Sequence, residues 1–222
     1  MPLFGFLEGA TPAIAAASAA IGLWQYRRNS RQAMAIKAAD EMEFFHTDNS
    51  VLTAQRLIDY SACYITIEKS SKEIQEVPVR PMDFHLALRH HLVPRTAVAG
   101  YKAEKDAFAS ERAGDRNANY QFSEKEHYIR DAFDGFLGRL ERVESLISNK
   151  VVAEADFRDH FSYWIRLIGD PKTAGDNFSA DKRQTLIDYI NSYEFNGVIR
   201  LFARYDKDLS LQHKPVAPAT QP

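Results

Sequence analysis

The chain has 222 residues, of which 45% are hydrophobic and 26% are charged, and its formal net charge is −2 at pH 7. This balance is typical of a globular protein with enough apolar material for one sizeable core. A net charge near zero excludes a strong overall attraction to nucleic acid, so we expect no nucleic-acid partner. The single cysteine, Cys63, excludes an internal disulfide framework and favours a cytoplasmic location for the body of the chain.

The first segment, "ATPAIAAASAAIGLWQYRRNSRQA" from residue 10 to residue 33, is apolar in its first half and basic in its second. From Leu3 to Trp24 the only charged residue is Glu8, and this length meets the roughly 20 apolar residues of a bilayer-spanning helix. The run ends in aromatic and basic side chains of the kind found at the level of lipid headgroups: Trp24, Tyr26, Arg27, Arg28 and Arg31. We predict that residues 1–26 form a membrane anchor helix, that these five residues form its interfacial collar, and that membrane lipid is a partner.

The orientation of such an anchor follows from its flanks. No basic residue precedes the apolar run, so the positive-inside tendency places the body in the cytoplasm, at the inner face of the cytoplasmic membrane. Two alternatives stay open, because alanine is also the best helix former: a soluble or interfacial helix, or a helix buried between the subunits of a soluble oligomer. A cleaved signal peptide fits less well, since its basic residues normally precede the apolar region.

The helical pattern continues past the arginines without a breaker, in "RQAMAIKAADEMEFF". Met34, Ala38 and Met42 fall on one face there, with Phe45 nearby. The polar stretch "HTDNS" ends this helix and offers three N-cap residues for the next one: Asp48, Asn49 and Ser50. We predict one helical bundle domain over residues 27–208.

The middle of the chain is less regular. "YITI" from Tyr64 alternates and is β-branched, which suits a short strand, and the two prolines of "VPVRP" exclude a continuous helix. We expect short helical pieces near residues 83–92 and 97–112, followed by a polar loop at "AGDRNANYQ".

The clearest helix signal is "SEKEHYIRDAFDGFLGRLERVESLISN". Ser123 and Glu126 form a capping box, and Asn149 is a plausible stop. One apolar stripe follows at steps of three and four residues: Ile129, Phe133, Phe136, Leu137, Leu140, Val143 and Ile147.

A second amphipathic helix is predicted from about Ala155, and the short linker "KVVAE" predicts that the two helices pack as an antiparallel hairpin. A last helix, "SADKRQTLIDYINSYEFNGVIRLFARY", should be kinked or broken at Asn196 and Gly197. Residues 209–222 read as a disordered, proline-rich tail. The predicted fold class is therefore all-α, with an apolar N-terminal helix continuing into a helical bundle.

Two Glu-x-x-His pairs raise the possibility of a metal site: Glu43 with His46, and Glu124 with His127. Such pairs supply ligands in di-iron helical bundles, because residues three apart share a helix face. Here the first pair lies at a helix end, and the second lies in a first turn whose acids the capping box already explains. We therefore expect that the protein binds no metal and no cofactor. The alternative function, a metal-dependent helical enzyme, would use these two pairs as ligands.

Motifs of nucleotide-dependent and common hydrolytic enzymes do not occur: there is no glycine-rich phosphate loop, no Gly-x-Ser-x-Gly elbow and no Cys-x-x-Cys pair. The apolar N-terminus running into "WQYRRNSRQAMAIKAADEMEFF", together with "FDGFLGRLERVESLISNKVVAEADFRDHFSYWIRLIG", resembles uncharacterised bacterial single-pass, membrane-anchored, all-helical proteins. The resemblance is architectural and implies no functional residue. The sequence predicts a non-catalytic interaction or scaffold protein that binds an unknown protein partner or itself.

Overall fold

A computed structural model describes residues 5–68, 74–102, 105–115, 117–173, 175 and 177–210, with the side chains of all but residues 5–14, 68 and 159. The α-helices are α1 (Gly5–Thr47), α2 (Asn49–Asp59), α3 (Pro81–Leu88), α4 (Ala107–Glu111), α5 (Glu124–Ser148), α6 (Glu154–Gly169), α7 (Ala180–Ser192) and α8 (Asn196–Arg204). Strands β1 (Cys63–Glu68) and β2 (Ile74–Val79) pair as an antiparallel hairpin in which Ile65 lies opposite Val77. The predicted mostly helical fold is confirmed, and the hairpin includes the strand expected at Tyr64.

Helix α5 is the centre of the bundle and packs against α2, α3 and α8. Its start follows from the capping box, in which Glu126 N donates to Ser123 Oγ (3.3 Å) and Ser123 N donates to Glu126 Oε2 (3.1 Å). Asn149 is its C-cap, as predicted. Every residue of the predicted apolar stripe is buried: Ile129, Phe133, Phe136, Leu137, Leu140, Val143 and Ile147.

Two glycines allow the neighbours of α5 to approach closely. Gly135 faces Ser50 on α2, and a Cβ at position 135 would overlap the Ser50 side chain. Gly197 begins α8 against Glu141, whose Oε1 accepts a hydrogen bond of 2.8 Å from Gly197 N. Small residues at these two contacts therefore set the helix spacing around α5.

Helix α6 begins near the predicted position, but it packs mainly against α1 and not, as predicted, against α5. Phe45, at the end of α1, packs edge-on against Phe161 of α6 at 4.7 Å between ring centroids and against Phe136 of α5 at 6.5 Å. Helices α5 and α6 also meet through Phe136 and Trp164, at 6.2 Å. The end of α1 thus lies between the two helices, in place of the close antiparallel hairpin expected from the short linker.

The short helical pieces expected near residues 83–92 and 97–112 are present, but the second is shorter than predicted. Among the described residues of this stretch, helical structure is limited to a 3₁₀ turn (Arg95–Ala97), a 3₁₀ residue at position 105 and the five-residue α4, because Gly100 takes a left-handed conformation (φ +76°) and Asp106 starts a new helix by accepting from Phe108 N and Ala109 N. The following loop is pinned to this region, since Asn119 O accepts from Arg95 N at 2.8 Å.

The last predicted helix is broken close to the expected place. The chain leaves α7 after Ser192 and resumes as α8 at Asn196, with Glu194 in a left-handed conformation (φ 56°) between them. Leu209 is fully buried and its carbonyl accepts from Asn191 Nδ2 at 3.0 Å, so the packed body extends past the predicted boundary at residue 208. The predicted tail beyond residue 210 lies outside the described residues.

A transmembrane span is not supported. Across the residues and side chains that the structure describes, no helix combines the length and the apolar character needed to cross a bilayer. In α1 the described side chains begin at Ala15, and the apolar run from there reaches only to Trp24.

Candidate functional site

The two ends of α1 have different surroundings. At its C-terminal end Ala38, Met42 and Phe45 are buried in the bundle, which confirms the predicted apolar face. From residue 15 to residue 29, in contrast, every side chain is exposed. This length corresponds to about 22 Å of helix that is accessible on all sides.

The five predicted collar residues lie at the end of this exposed section. Trp24 is 60% exposed and Tyr26 is 71% exposed. Trp24, Arg27, Arg28 and Arg31 are spaced so that they share one face of α1, while Tyr26 points to the other side. The Arg28 guanidinium lies over the Trp24 ring at 5.5 Å from its centroid, a cation–π contact.

The charges of the collar are not neutralised within the part of the protein that the structure describes. None of Arg27, Arg28 and Arg31 forms an ion pair with another described residue. The basic patch is therefore available to an external anionic partner.

The candidate metal ligands are not brought together. Glu43 and His46 are exposed at the end of α1, and Glu124 and His127 are exposed in the first turn of α5, with the His127 ring against Phe122 at 5.6 Å. Among the described residues, no group of three or more His, Cys, Asp or Glu side chains is arranged to hold a metal ion.

The packing of α1 explains the separation of the two pairs. Phe45, next to His46, contacts Phe136 of α5. Phe136 follows His127 by nine residues, which is about 14 Å along a helix. The two pairs therefore lie at different levels of the bundle.

Glu126 is a buried acid that is paired with two arginines. Its carboxylate contacts Arg95 at 2.6 and 2.7 Å and Arg89 at 3.1 Å, in addition to the backbone of Ser123. Arg95 also pairs with Asp106 at 2.7 Å. Because Glu126 is buried and paired with both arginines, it ties the loop after α3 to α5.

Lys182 on α7 is buried without a described carboxylate partner. Its Nζ donates to the carbonyl oxygens of Leu57 (3.0 Å), Tyr60 (3.0 Å) and Asn177 (3.3 Å). Burial lowers the pKa of Lys182 to about 8. Since Leu57 and Tyr60 are at the C-terminal end of α2, Lys182 acts as a cationic cap for that helix.

Cys63 lies near this lysine but lacks the character of a nucleophile. Burial raises the pKa of the Cys63 thiol and outweighs the nearby positive charges of Lys182 and Arg56, which act in the opposite direction. Reactive cysteines need the opposite shift, because the thiolate is the attacking species.

An open pocket of about 160 Å³ lies between α2, β1 and α5. Apart from Ile65, its walls consist of side chains that can donate a hydrogen bond: Asn49, Thr53, Arg56, Tyr64, Thr66 and Tyr128. The three contributions from α2 share one helix face, and Tyr64 and Thr66 share one face of β1.

The hydrogen-bonding capacity of this pocket is unused by the protein. Within the described parts of the chain, none of the six polar side chains has a hydrogen bond or an ion pair to another protein group. Thr53, which lines the pocket, is only 8% exposed as a residue, and its hydroxyl has no hydrogen-bond partner among the described residues. One feature of the sequence could have indicated this site, a polar stripe on α2 at Asn49, Thr53 and Arg56. The residues that complete the pocket lie on other elements, β1 and α5.

No family model, no curated protein and no solved structure matches this chain. Two features of the molecule itself are the candidates for a functional site. One is the exposed section of α1 with its collar, and the other is the polar pocket between α2, β1 and α5.

Proposed function

We propose that this protein is a helical interaction protein, held at the inner face of a bacterial cytoplasmic membrane by α1, which acts by binding a partner protein and not by catalysis. One observation carries the proposal: α1 is exposed on all sides over residues 15–29, although Ile21, Leu23 and Trp24 are large and apolar. The first part of this section, residues 15–24, is almost wholly apolar, and a helix that is apolar all round is stable where its whole circumference is covered. Lipid provides such an environment.

The arginines favour lipid over a second copy of the chain as the covering medium. Arg27, Arg28 and Arg31 follow the apolar section directly and suit anionic headgroups, each basic residue contributing about 1 kcal/mol near such a surface. In a parallel bundle of copies of α1, the same arginines would lie at one level and repel each other. Trp24 and Tyr26, with apolar rings and polar tips, also suit the headgroup level.

The body of the protein lies on the same side of the apolar section as the arginines. The positive-inside tendency favours the cytoplasmic side for such a flank, which supports a cytoplasmic body. Two groups of the body that could take part in catalysis are otherwise engaged or unreactive: Glu126 pairs with Arg89 and Arg95, and burial raises the pKa of the Cys63 thiol.

Vesicle flotation of the full-length protein tests the proposal. Neutral phosphatidylcholine vesicles are compared with vesicles that also contain phosphatidylglycerol. The protein should float with both and bind the anionic vesicles more tightly. Replacing Arg27, Arg28 and Arg31 together by Gln should weaken binding to anionic vesicles on the order of tenfold or more, because three favourable contacts are lost.

A second triple variant controls for net charge. Arg158, Arg166 and Arg200 are exposed on the body, far along the chain from the collar, and their replacement by Gln removes the same charge. This variant should bind like the unchanged protein. If the full-length protein stays at the bottom of the gradient with both vesicle types and sediments as an oligomer, the second candidate holds: a helix buried between subunits.

A further inference from the structure

We propose that the pocket between α2, β1 and α5 binds a small soluble oxyanion, with a phosphate group as the best fit and Arg56 as its charged ligand. The polar side chains of the lining supply one guanidinium, one amide and four hydroxyl groups, and none of the lining residues is acidic. Tetrahedral phosphate offers several acceptor oxygens to donors that approach from three sides. Arg56 suits it because the planar guanidinium donates two parallel hydrogen bonds to such a group.

Thr53 provides the second, independent observation. Its side chain lines the pocket, it is 8% exposed, and it has no hydrogen-bond partner among the described residues. A threonine inside a helix commonly bonds the carbonyl four residues earlier, and Thr53 has no such bond. Its hydroxyl is therefore free to donate a hydrogen bond to a molecule bound in the pocket.

The size of the pocket limits the ligand. Its volume of about 160 Å³ is below the 300–1,000 Å³ of pockets for drug-sized molecules and corresponds to about five water molecules. Inorganic phosphate or the phosphate group of a small ester fits this volume. Tyr64, which is 66% exposed, lies where the remainder of an ester would extend into solvent.

The position of the pocket favours a soluble source of phosphate over a lipid headgroup. Helix α1 runs from the collar at Arg31 to Thr47, next to the pocket residue Asn49. These 16 steps of helix span about 24 Å. A headgroup at the level of the collar is therefore well removed from the Asn49 end of the pocket.

A titration of the full-length protein in neutral lipid nanodiscs tests the proposal. Sodium phosphate is added at constant ionic strength, with sodium chloride as the replaced salt, and the backbone amide NMR signals of Thr53, Arg56 and Thr66 are followed. We expect saturable shifts at these residues with phosphate. Chloride alone should cause none, and acetate should bind more weakly because it offers fewer acceptor oxygens.

Three variants separate a ligand role from a structural one. Arg56→Gln should weaken phosphate binding by tenfold or more, and Thr53→Val should weaken it several-fold while keeping the fold, since an isosteric methyl replaces an unpartnered hydroxyl. Arg166→Gln, at an exposed arginine on α6, should bind phosphate like the unchanged protein.

Four results would overturn the proposal. They are shifts that do not saturate, equal shifts with chloride, an Arg56→Gln variant with unchanged affinity, and pocket signals that shift on a change from neutral to phosphatidylglycerol nanodiscs without free phosphate. The last result would assign the site to lipid. Flotation and phosphate titration use different residues, so failure of the oxyanion site and failure of membrane attachment are distinguishable.

Discussion

Glu41 on α1 accepts two hydrogen bonds of 2.9 Å from the guanidinium of Arg142 on α5. The Glu41 side chain is only 2% exposed, and Lys37 lies 3.2 Å from the same carboxylate. A bidentate pair of this kind fixes orientation as well as distance. Because α1 is one continuous helix, the pair fixes the direction in which the exposed section leaves the bundle.

The substitution Glu41→Gln should lower the free energy of unfolding by about 1 kcal/mol. Glutamine has the same shape as glutamate but no charge, so the half-exposed Arg142 loses its charge-assisted hydrogen bonds. Urea denaturation measures the change. Glu154→Gln is the matched control, since Glu154 pairs with the exposed Arg158 at 3.1 Å. It should change stability by less than about 0.5 kcal/mol. Equal effects of the two variants would contradict a structural role for the Glu41 pair.

Stability should fall in acid, and Glu41 should account for part of the loss. The hydrogen bond from Arg142 holds the pKa of Glu41 below its ordinary value of 4.5. The folded state therefore binds this proton less readily than the unfolded state. The stabilisation is complete above pH 4.5 and is lost as the pH falls through the folded-state pKa. The stability difference between the unchanged protein and Glu41→Gln should shrink between neutral pH and about pH 3.

Two glycines of α5 should respond to alanine in opposite directions. Gly135→Ala should destabilise the protein by about 1–3 kcal/mol, since the new Cβ overlaps Ser50 on α2. Gly138→Ala is the control in the same helix, where a Cβ meets nothing within 4 Å. It should stabilise by up to about 1 kcal/mol through helix propensity. Thermal unfolding measures both, and a stabilising Gly135→Ala would contradict the close approach of α2.

Lys182 should make the free energy of unfolding depend on pH in the alkaline range. Burial lowers its pKa from 10.5 to about 8, so between these values the unfolded state binds more protons than the folded state. The contribution of Lys182 to stability therefore rises with pH across this window. The stability advantage over Lys182→Met should grow from pH 8 to pH 10.5. Lys172→Met, at an exposed residue, controls for the loss of one positive charge.

Local signals in the sequence predicted local structure well. The capping box at Ser123 and Glu126 and the apolar stripe after it define α5 without any long-range information. The pairing of Glu126 with two buried arginines was not predictable in the same way. Its partners Arg95 and Arg89 lie 31 and 37 residues earlier, and no periodicity connects them to it.

The predictions that differ from the structure were also limited by contacts between residues that are distant in the sequence. Residues 97–112 contain good helix formers, but the pairing of Arg95 with Asp106 and the turn at Gly100 override that propensity. The expected close packing of α5 on α6 did not include Phe45, which comes from a distant helix and contacts both. The polar pocket is assembled from three elements, so its donors appear in the sequence as ordinary surface residues.

Fractionation of cells that contain the full-length protein tests membrane attachment most directly. Membranes are washed with high salt and then with alkaline carbonate, and the protein is followed in each fraction, beside a variant with Ile21 and Leu23 replaced by Asp. We expect the unchanged protein to stay with the membranes through both washes and the variant to be released, because charged side chains in the apolar section are costly in lipid. Recovery of the unchanged protein in the soluble fraction before any wash would contradict the account.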